Sequence, residues 1–197
     1  RSHSIMGINQ WQLHRDMEAL DSLTQAIDLF KTTDNHRAMA EAHNHMGIIY
    51  RGLGQFDQAL FHLQKTKELL ERINDIKGLG KAFNSLGTAT WWSGKPKAAL
   101  EFYQKANDIN HKLGQNYIMG LTYNNLGYVY LELQEIQKAK ETFITAQKIR
   151  QQINVRSFEL MDISGLALAS FYDGELDQAL SLSSEAINGL KDYRTVE

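Results

Sequence analysis

The sequence predicts an all-α protein, a right-handed α-solenoid of five antiparallel helix pairs with no sheet. The first observation is a repeat of 40 residues, because the stretch around Gly127 reappears around Gly87 and again around Gly47. The second is an alanine twelve residues beyond each of these glycines. The third is the helical spacing of apolar residues between the glycines and turns. A period of roughly 20–50 residues is typical of stacked helical repeats.

Two columns of small residues run through all five units. We expect the first column to let one helix backbone approach another closely, and the second to mark the facing position on the partner helix. The first column is Gly7, Gly47, Gly87, Gly127 and Ala167, and the second is Ala19, Ala59, Ala99, Ala139 and Ala179.

The elements follow in order from this register, with units at about 1–33, 37–73, 77–113, 117–153 and 157–191. In the first unit the second helix is predicted from Met17 to Lys31. Each later unit has two helices separated by a turn, and Pro96 is tolerated because it lies at a helix start. The first helix of unit one would begin at or before residue 1, and no polar helix follows unit five. We therefore expect one array, 1–197, from a longer protein.

The fourth unit carries a known pattern in the residues Tyr123, Leu126, Gly127, Tyr130, Ala139, Phe143 and Ala146. This pattern resembles the tetratricopeptide repeat. The 40-residue period, in place of 34, and the absence of a proline at the repeat end resemble the long-repeat branch of that family. That branch includes kinesin light chains, Leu-Gly-Asn-type spindle adaptors and bacterial peptide-sensing regulators. The resemblance implies a scaffold whose first helices line a concave, ligand-binding groove.

Composition argues against several classes of function. The formal net charge of −2 provides no basic footprint, so we expect no nucleic-acid partner. No apolar run reaches the roughly 20 residues of a membrane span, so we expect no membrane contact. The absence of cysteine fits a reducing compartment, and we expect a cytoplasmic location. The chain has no cysteine, and no two of its seven histidines are spaced i,i+4 on one helix. His43 and His45 are interpreted as packed and exposed, respectively. We predict no catalysis, no cofactor and no metal.

A polar column lies three residues before the phase glycines, in the middle of the first helices: Ser4, Asn44, Asn84, Asn124 and Ser164. Short polar residues there lower helix propensity, so their recurrence calls for a reason. An Asn amide offers a donor and an acceptor, as a peptide unit does, and the column could hydrogen-bond an extended peptide. The alternative is that these side chains bond neighbouring helices and hold the stack together.

Neighbouring columns would supply specificity to the groove. The candidate side chains are Ile48, Tyr128, Leu168, Arg51, Trp91 and Leu131. They suit a peptide with apolar anchors and a carboxylate, since aromatic residues and Arg dominate binding at such surfaces. Trp11, Trp91 and Phe171 could instead fill a core gap where the usual Tyr is missing, and Trp92 is a second candidate for that place. Glu41 and Lys81 are interpreted as solvated charges at the groove edge.

The sequence therefore predicts a non-enzymatic scaffold that holds an extended peptide or a helix of a partner protein in a concave groove. The alternative is a structural role: self-association through uncapped apolar ends, or an intramolecular regulatory arm of a larger signalling protein or enzyme.

Overall fold

The structure, a computed structural model, describes the backbone of residues 2–194 and the side chains of residues 15–191. Within that backbone range the chain forms nine α-helices and no β-strand, which confirms the all-α prediction. The helices are α1 Ser2–Thr32, α2 His36–Gly52, α3 Phe56–Arg72, α4 Ile76–Trp92, α5 Pro96–Lys112, α6 Asn116–Glu132, α7 Ile136–Gln152, α8 Arg156–Tyr172 and α9 Leu176–Arg194.

Three-residue turns, each with a positive-φ residue in the middle, explain the period of the sequence. The middle residue of each turn has a positive φ, between 51° and 83°, and these residues recur every 20 positions. In the α2–α3 turn, Gly54 N–H donates to Arg51 O and Gln55 N–H donates to Tyr50 O, so the last carbonyls of the helix are satisfied. The 40-residue repeat is thus two 20-residue modules, each one helix and one turn. The positive-φ residues are Asp34, Gly54, Asn74, Gly94, Gly114, Gln134, Asn154 and Gly174.

The first predicted unit differs from the prediction. Ser2–Thr32 is one uninterrupted helix rather than a helix pair, and the predicted Met17–Lys31 helix is its second half. In the 20-residue register the expected turn would place its positive φ at His14, a residue for which the left-handed conformation is unfavourable. Because no Gly or Pro stands between residues 8 and 16, the helix continues. Gly7 and Trp11 lie outside the residues whose side chains are described.

The chain divides into two compact units, residues 1–93 and 94–197. In the first, α1 packs on α2 through a buried cluster formed by Leu20, Ile27, Ala42 and Met46. The α2–α3 pair is close because Gly47 has no side chain: a Cβ there would lie 2.6 Å from Cγ of Leu63. Ala59 is fully buried, Ala19 is half-buried, and Gly87 is buried.

In the second unit the core between α6, α7 and α8 centres on Phe143, which is fully buried with Ala139 and Ala169. The backbones of Gly127 and Gly165 contact this ring from two helices. A Cβ at either position would lie within 2.6 Å of a ring carbon, so there is no room for a side chain. A second cluster joins α8 to α9 through residues 160, 163 and 186. The remaining small-column residues, Ala99, Ala167 and Ala179, are also buried.

None of the helices, among the residues described, combines the length and apolar character needed to cross a membrane.

Candidate functional site

A polar groove lies between α2 and α4 in the first unit, with the end of α3 as its floor. Its cavity volume is about 520 Å³. Small side chains on α2 and α4 keep it open, and charged side chains stand along both rims. The lining residues are Arg37, Ala40, Glu41, Asn44, His45, Thr66, Leu70, Asp75, Lys77, Gly78, Lys81 and Ala82.

Local structure fixes one end of this groove. Asp75 caps α4, its Oδ1 accepting from Gly78 N–H at 3.0 Å, while its Oδ2 lies 2.8 Å from Nη1 of Arg37 on α2. Arg37 is thereby neutralised by a carboxylate that also satisfies the helix N-terminus. On the floor, Thr66 Oγ1 donates to the carbonyl oxygen of Ala40 at 3.2 Å. Lys77 and Lys81 then line the α4 rim, opposite Glu41 on α2.

Asn44 is the member of the polar column that lines this groove. The side chain is half-buried, and no hydrogen bond joins its amide to another described residue. Its donor and acceptor are therefore available to a ligand lying between α2 and α4.

The equivalent residue in the second unit has a different environment. Asn124 is 7% exposed, and its Nδ2 donates to Oδ1 of Asp162 on α8 at 2.7 Å. This bond joins the first helices of two successive repeats, the kind of contact that the alternative interpretation of the column predicts. Here the amide is engaged inside the protein.

Asp162 belongs to a buried ionic cluster. Nε of Arg150 on α7 lies 3.6 Å from Oδ2 of Asp162, and both side chains are almost inaccessible to solvent. The guanidinium carbon of Arg150 stands 4.6 Å from the ring centroid of Phe158 and 5.6 Å from that of Tyr117. Gly120 gives the guanidinium room, since a Cβ there would lie 2.8 Å from Nε.

Burial dominates the electrostatics of this cluster. It raises the pKa of Asp162 to about 7, although the attraction of Arg150 and the hydrogen bond from Asn124 both favour the carboxylate. Burial likewise lowers the pKa of Arg150. Arg150 Nε and Nη1 and Asp162 Oδ2 have no hydrogen-bond partner among the described residues. The cluster holds a poorly solvated ion pair in the interface between repeats.

The remaining predicted groove residues occupy varied environments. Ile48 is exposed on α2, and Arg51, Asn84 and Trp91 are half-buried. Tyr128 and Leu131 pack against the Phe143 cluster, and the Tyr128 ring meets Phe143 edge-on at 5.0 Å between centroids.

The structure shows for two of the candidate aromatic residues whether they fill a gap in the core. Phe171 and Trp92 are each 57% exposed, so neither fills a gap in the core. Trp91 is half-buried, with its ring centroid 6.2 Å from that of Trp92.

A second, apolar groove lies between α8 and α9, and it contains the predicted residues Ser164 and Leu168 together with Phe171. Ser164 Oγ donates to Leu160 O one turn earlier on the same helix. Its hydroxyl is thus satisfied by its own helix.

A histidine pair escaped the sequence analysis. Nδ1 of His43 lies 2.8 Å from Nδ1 of His62, and the Tyr50 ring stacks on His62 at 5.3 Å. Burial, followed by repulsion from His62, Lys31 and Lys65, lowers the pKa of His43 to about 4. Burial also lowers the pKa of His62. Among the described residues, no group of three or more His, Cys, Asp or Glu side chains could hold a metal ion.

The ionic cluster left a signal in the sequence. Residues 42, 82 and 122 are Ala, Ala and Thr, and the same column then reads Asp162. Residues 30, 70, 110 and 190 are Phe, Leu, Asn and Leu, and Arg150 is the charged member of that column. A charge of each sign in otherwise uncharged columns of adjacent helices indicates a buried pair. The histidine pair left no comparable signal, because two side chains of the same type carry no complementary charges.

In the described part of the chain, nine helices joined by three-residue turns, with small residues at helix contacts, define a helical repeat protein of the α-solenoid class. The tetratricopeptide-repeat family model matches residues 2–72, and a second model of the same repeat matches residues 121–153. The chain belongs to the tetratricopeptide-repeat family.

Solved structures with the same fold share little sequence. RapI in its apo form aligns over 97% of this chain and 70% of its own, with 15% identity and a TM-score of 0.82. Tetratricopeptide-like repeats of a putative kinesin light chain from Podosopora anserina align over 99% and 96%, with 17% identity and a TM-score of 0.74. NprR in complex with its cognate peptide NprX aligns over 91% and 52%, with 18% identity and a TM-score of 0.71. No curated protein matches the sequence.

Proposed function

We propose that this chain is a non-enzymatic scaffold that binds an extended peptide or a helix of a partner protein, and that the groove between α2 and α4 is a binding site. The observation that carries the proposal is Asn44, a half-buried amide that lines this groove and has no hydrogen-bond partner among the described residues. A cytoplasmic location and a single array of five units stay predictions.

The chemistry of the groove fits a peptide. An Asn side chain can donate to a peptide carbonyl and accept from the next N–H, which is what an extended backbone requires. Because Arg37 is paired with Asp75, the rim charges left without a partner among the described residues are those of Lys77 and Lys81 on one side and Glu41 on the other. Two positive charges against one negative charge favour a peptide that carries a carboxylate. Leu70 and Ala82 provide an apolar floor for one small anchor.

The comparisons support the same conclusion at the level of the fold. The structure of NprR contains its cognate peptide, and the tetratricopeptide fold typically serves binding rather than catalysis.

The test is to pan a random 12-residue phage-displayed peptide library against the chain and to measure the affinity of enriched peptides by calorimetry. Asn44→Ala is expected to weaken binding by about 1–3 kcal/mol, because peptide polar groups lose their partner in a partly desolvated groove. The free energy of unfolding of this variant should change by less than about 0.5 kcal/mol, since the Asn44 amide makes no hydrogen bond to another described residue.

Asn124→Ala is the matched control. It leaves Oδ1 of Asp162 without its donor and should lower the free energy of unfolding by about 1–3 kcal/mol. Peptides selected on the α2–α4 groove should keep their affinity for this variant. If no peptide is enriched, or enriched peptides bind wild type and Asn44→Ala equally, the groove is not a peptide site.

The alternative function, self-association or an intramolecular regulatory arm, is favoured by one observation. Large apolar side chains of α8 and α9 are exposed together, a feature that marks interaction surfaces.

A further inference from the structure

The contact between His43 on α2 and His62 on α3 lies inside a helix pair, and His62 is only 8% exposed. Nδ1 of one ring lies 2.8 Å from Nδ1 of the other, while the two ring centroids are 5.1 Å apart. The two nitrogens therefore point toward each other. This is the geometry of an N–H···N hydrogen bond between the helices.

A hydrogen bond between two Nδ1 atoms requires that the rings differ in protonation. One Nδ1 carries a hydrogen and donates, and the other keeps its lone pair and accepts. In the neutral pair, one ring is thus the Nδ1–H tautomer and the other is the Nε2–H tautomer. The donor ring has a free lone pair on Nε2, so a first proton can be added there while the hydrogen bond persists. A second proton has to enter at the accepting Nδ1, and it removes the acceptor.

The surroundings of the pair oppose positive charge. Burial, followed by repulsion from His62, lowers the pKa of His43 to about 4, and burial lowers the pKa of His62. Among the described residues of the neighbouring helices, the other charged groups that act on His43 are Lys31 on α1 and Lys65 on α3. Each lysine is paired with a carboxylate at 2.8 Å, which offsets part of its repulsion. The strongest repulsion on a charged His43 therefore comes from a charged His62.

The three later repeats have no histidine at these two positions. The column of His43 continues as Phe83, Tyr123 and Ile163, and the column of His62 continues as Phe102, Thr142 and Leu182. In α8–α9 the two positions form an apolar contact, since Ile163 is 1% exposed and Leu182 packs against its cluster. An apolar contact is thus sufficient to pack the helix pair. The histidines add a response to protons that an apolar contact lacks.

The histidine contact adjoins the floor of the α2–α4 groove. Thr66, one turn beyond His62 on α3, donates its hydroxyl to the carbonyl oxygen of Ala40 on α2 at 3.2 Å. The same hydroxyl lies 3.1 Å from the carbonyl oxygen of His62. Ala40 in turn precedes His43 by one turn of α2. Because the two contacts are neighbours in one helix interface, a change in helix separation at the histidines reaches Thr66.

We propose that His43 and His62 form a proton-operated latch between α2 and α3. The latch is closed while the pair is neutral or carries one positive charge. It opens when both rings are charged, and Thr66 then separates from Ala40. Because the pKa of His43 lies below its ordinary value, the latch loses its stabilising contribution as pH falls from 6.5 toward 4. The inference holds whether or not a peptide binds in the α2–α4 groove, because it concerns contacts within the free protein.

The first test reads the tautomers. In the whole chain labelled with ¹⁵N-histidine at pH 7.5, we expect nuclear magnetic resonance to show one Nδ1–H ring and one Nε2–H ring. A scalar coupling should connect the two Nδ1 atoms across the hydrogen bond. His45→Gln is the matched control, since it removes an exposed histidine of the same helix and should leave the coupling intact. Two Nε2–H rings without a coupling overturn the proposal.

The second test measures the opening. The chain has no cysteine, so Glu41→Cys on α2 and Gln64→Cys on α3 provide two unique sites for spin labels. Double electron–electron resonance should show a longer distance between the labels at pH 4 than at pH 6, while circular dichroism shows that the helices persist. His43→Ile with His62→Leu copies the α8–α9 contact and should keep the distance constant. An unchanged distance in the wild type, an equal change in both proteins, or loss of the helices before the distance changes overturns the proposal.

Discussion

The α2–α4 region of the first unit and the α6–α8 region of the second are built on the same repeat register and use it differently. In the first, Asn44 faces a groove bordered by Leu70 and Ala82, and its amide is unbonded among the described residues. In the second, Arg150 and Asp162 stand at those two positions, and Asp162 accepts the amide proton of Asn124. The asparagine at this repeat position is a candidate ligand contact in the first region, and in the second it forms a hydrogen bond between two helices.

The difference shows that a repeat position does not determine a role by itself. The residue 38 positions further along the chain decides whether the amide is engaged, because it lies on the first helix of the next repeat. Ala82 at this position offers no acceptor to Asn44 and leaves the groove open, whereas Asp162 accepts a hydrogen bond from Asn124.

The largest expected effect comes from breaking the ionic cluster. Asp162→Ala leaves the charge of Arg150 buried and unpaired, which should cost about 3–5 kcal/mol of unfolding free energy. The double variant Arg150→Leu with Asp162→Ala reproduces the Leu70 and Ala82 arrangement of the first unit. It should be at least as stable as wild type, because removing both charges removes the desolvation penalty.

Urea unfolding at pH 7.5 measures both variants. If the double variant is as unstable as Asp162→Ala alone, the ion pair itself stabilises the interface, and the loss in the single variant does not come from an unpaired buried charge. The expectation that the uncharged arrangement of the first region is at least as stable as the charged one would then be wrong.

The second prediction is that pH acts on the two regions with opposite signs. The folded-state pKa of Asp162, about 7, exceeds the ordinary 3.8, so the folded state holds more protons between these values. Its contribution to unfolding free energy therefore falls as pH rises from 4 to 7, by up to about 4 kcal/mol. The pKa of His43 is instead lowered from 6.5 to about 4. Its contribution falls as pH drops from 6.5 to 4, by less than the pKa shift alone implies, since the ring is only half-buried and solvent screens its charge.

Hydrogen exchange separates the two effects, because it reports on α2–α3 and α7–α8 individually. Amides of α7–α8 should exchange faster at pH 7 than at pH 5 after correction for intrinsic rates, and those of α2–α3 should show the reverse. Asp162→Asn should abolish the first dependence, and the double variant His43→Phe with His62→Phe should abolish the second, since no new side chain titrates and the lowered pKa of His62 acts in the same direction as that of His43. If a dependence survives its variant, another group causes it.

The smallest effect concerns the turns that close the two α-hairpins. Gly54 and Gln134 occupy the same position with φ of 73° and 60°, a conformation that glycine adopts freely and glutamine does not. Gln134→Gly should stabilise the protein by about 1 kcal/mol, and Gly54→Gln should destabilise it by a similar amount. Thermal unfolding should move by about 2–4 °C in opposite directions. If both variants shift the unfolding temperature in the same direction, contacts of the glutamine side chain outweigh the cost of its positive φ.

Much of the fold could be predicted from the sequence because its signals are local and repeated. Helical spacing and small residues at the helix contacts each recur, so each of the four later repeat units contains the predicted helix pair, α2 to α9. The prediction for the first repeat unit, residues 1–33, was wrong because the repeat register was extended over residues 8–16, where no local signal breaks the helix.

The candidate site was less accessible to sequence reasoning. The polar column was visible, but the bond between Asn124 and Asp162 and the pairing of His43 with His62 depend on contacts between helices. Periodicity predicts which positions share a helix face and does not predict which side chain on the facing helix completes a hydrogen bond.

By itself, the sequence determined the helical class, the 40-residue period and the columns that pack the repeats, because these follow from backbone geometry and side-chain size at fixed spacing. The tertiary structure alone decided which polar side chains are buried and which face solvent. It placed a carboxylate against Asn124 and left Asn44 in an open groove. Burial and pairing are properties of two helices together, and they set both the pKa of Asp162 and the availability of Asn44.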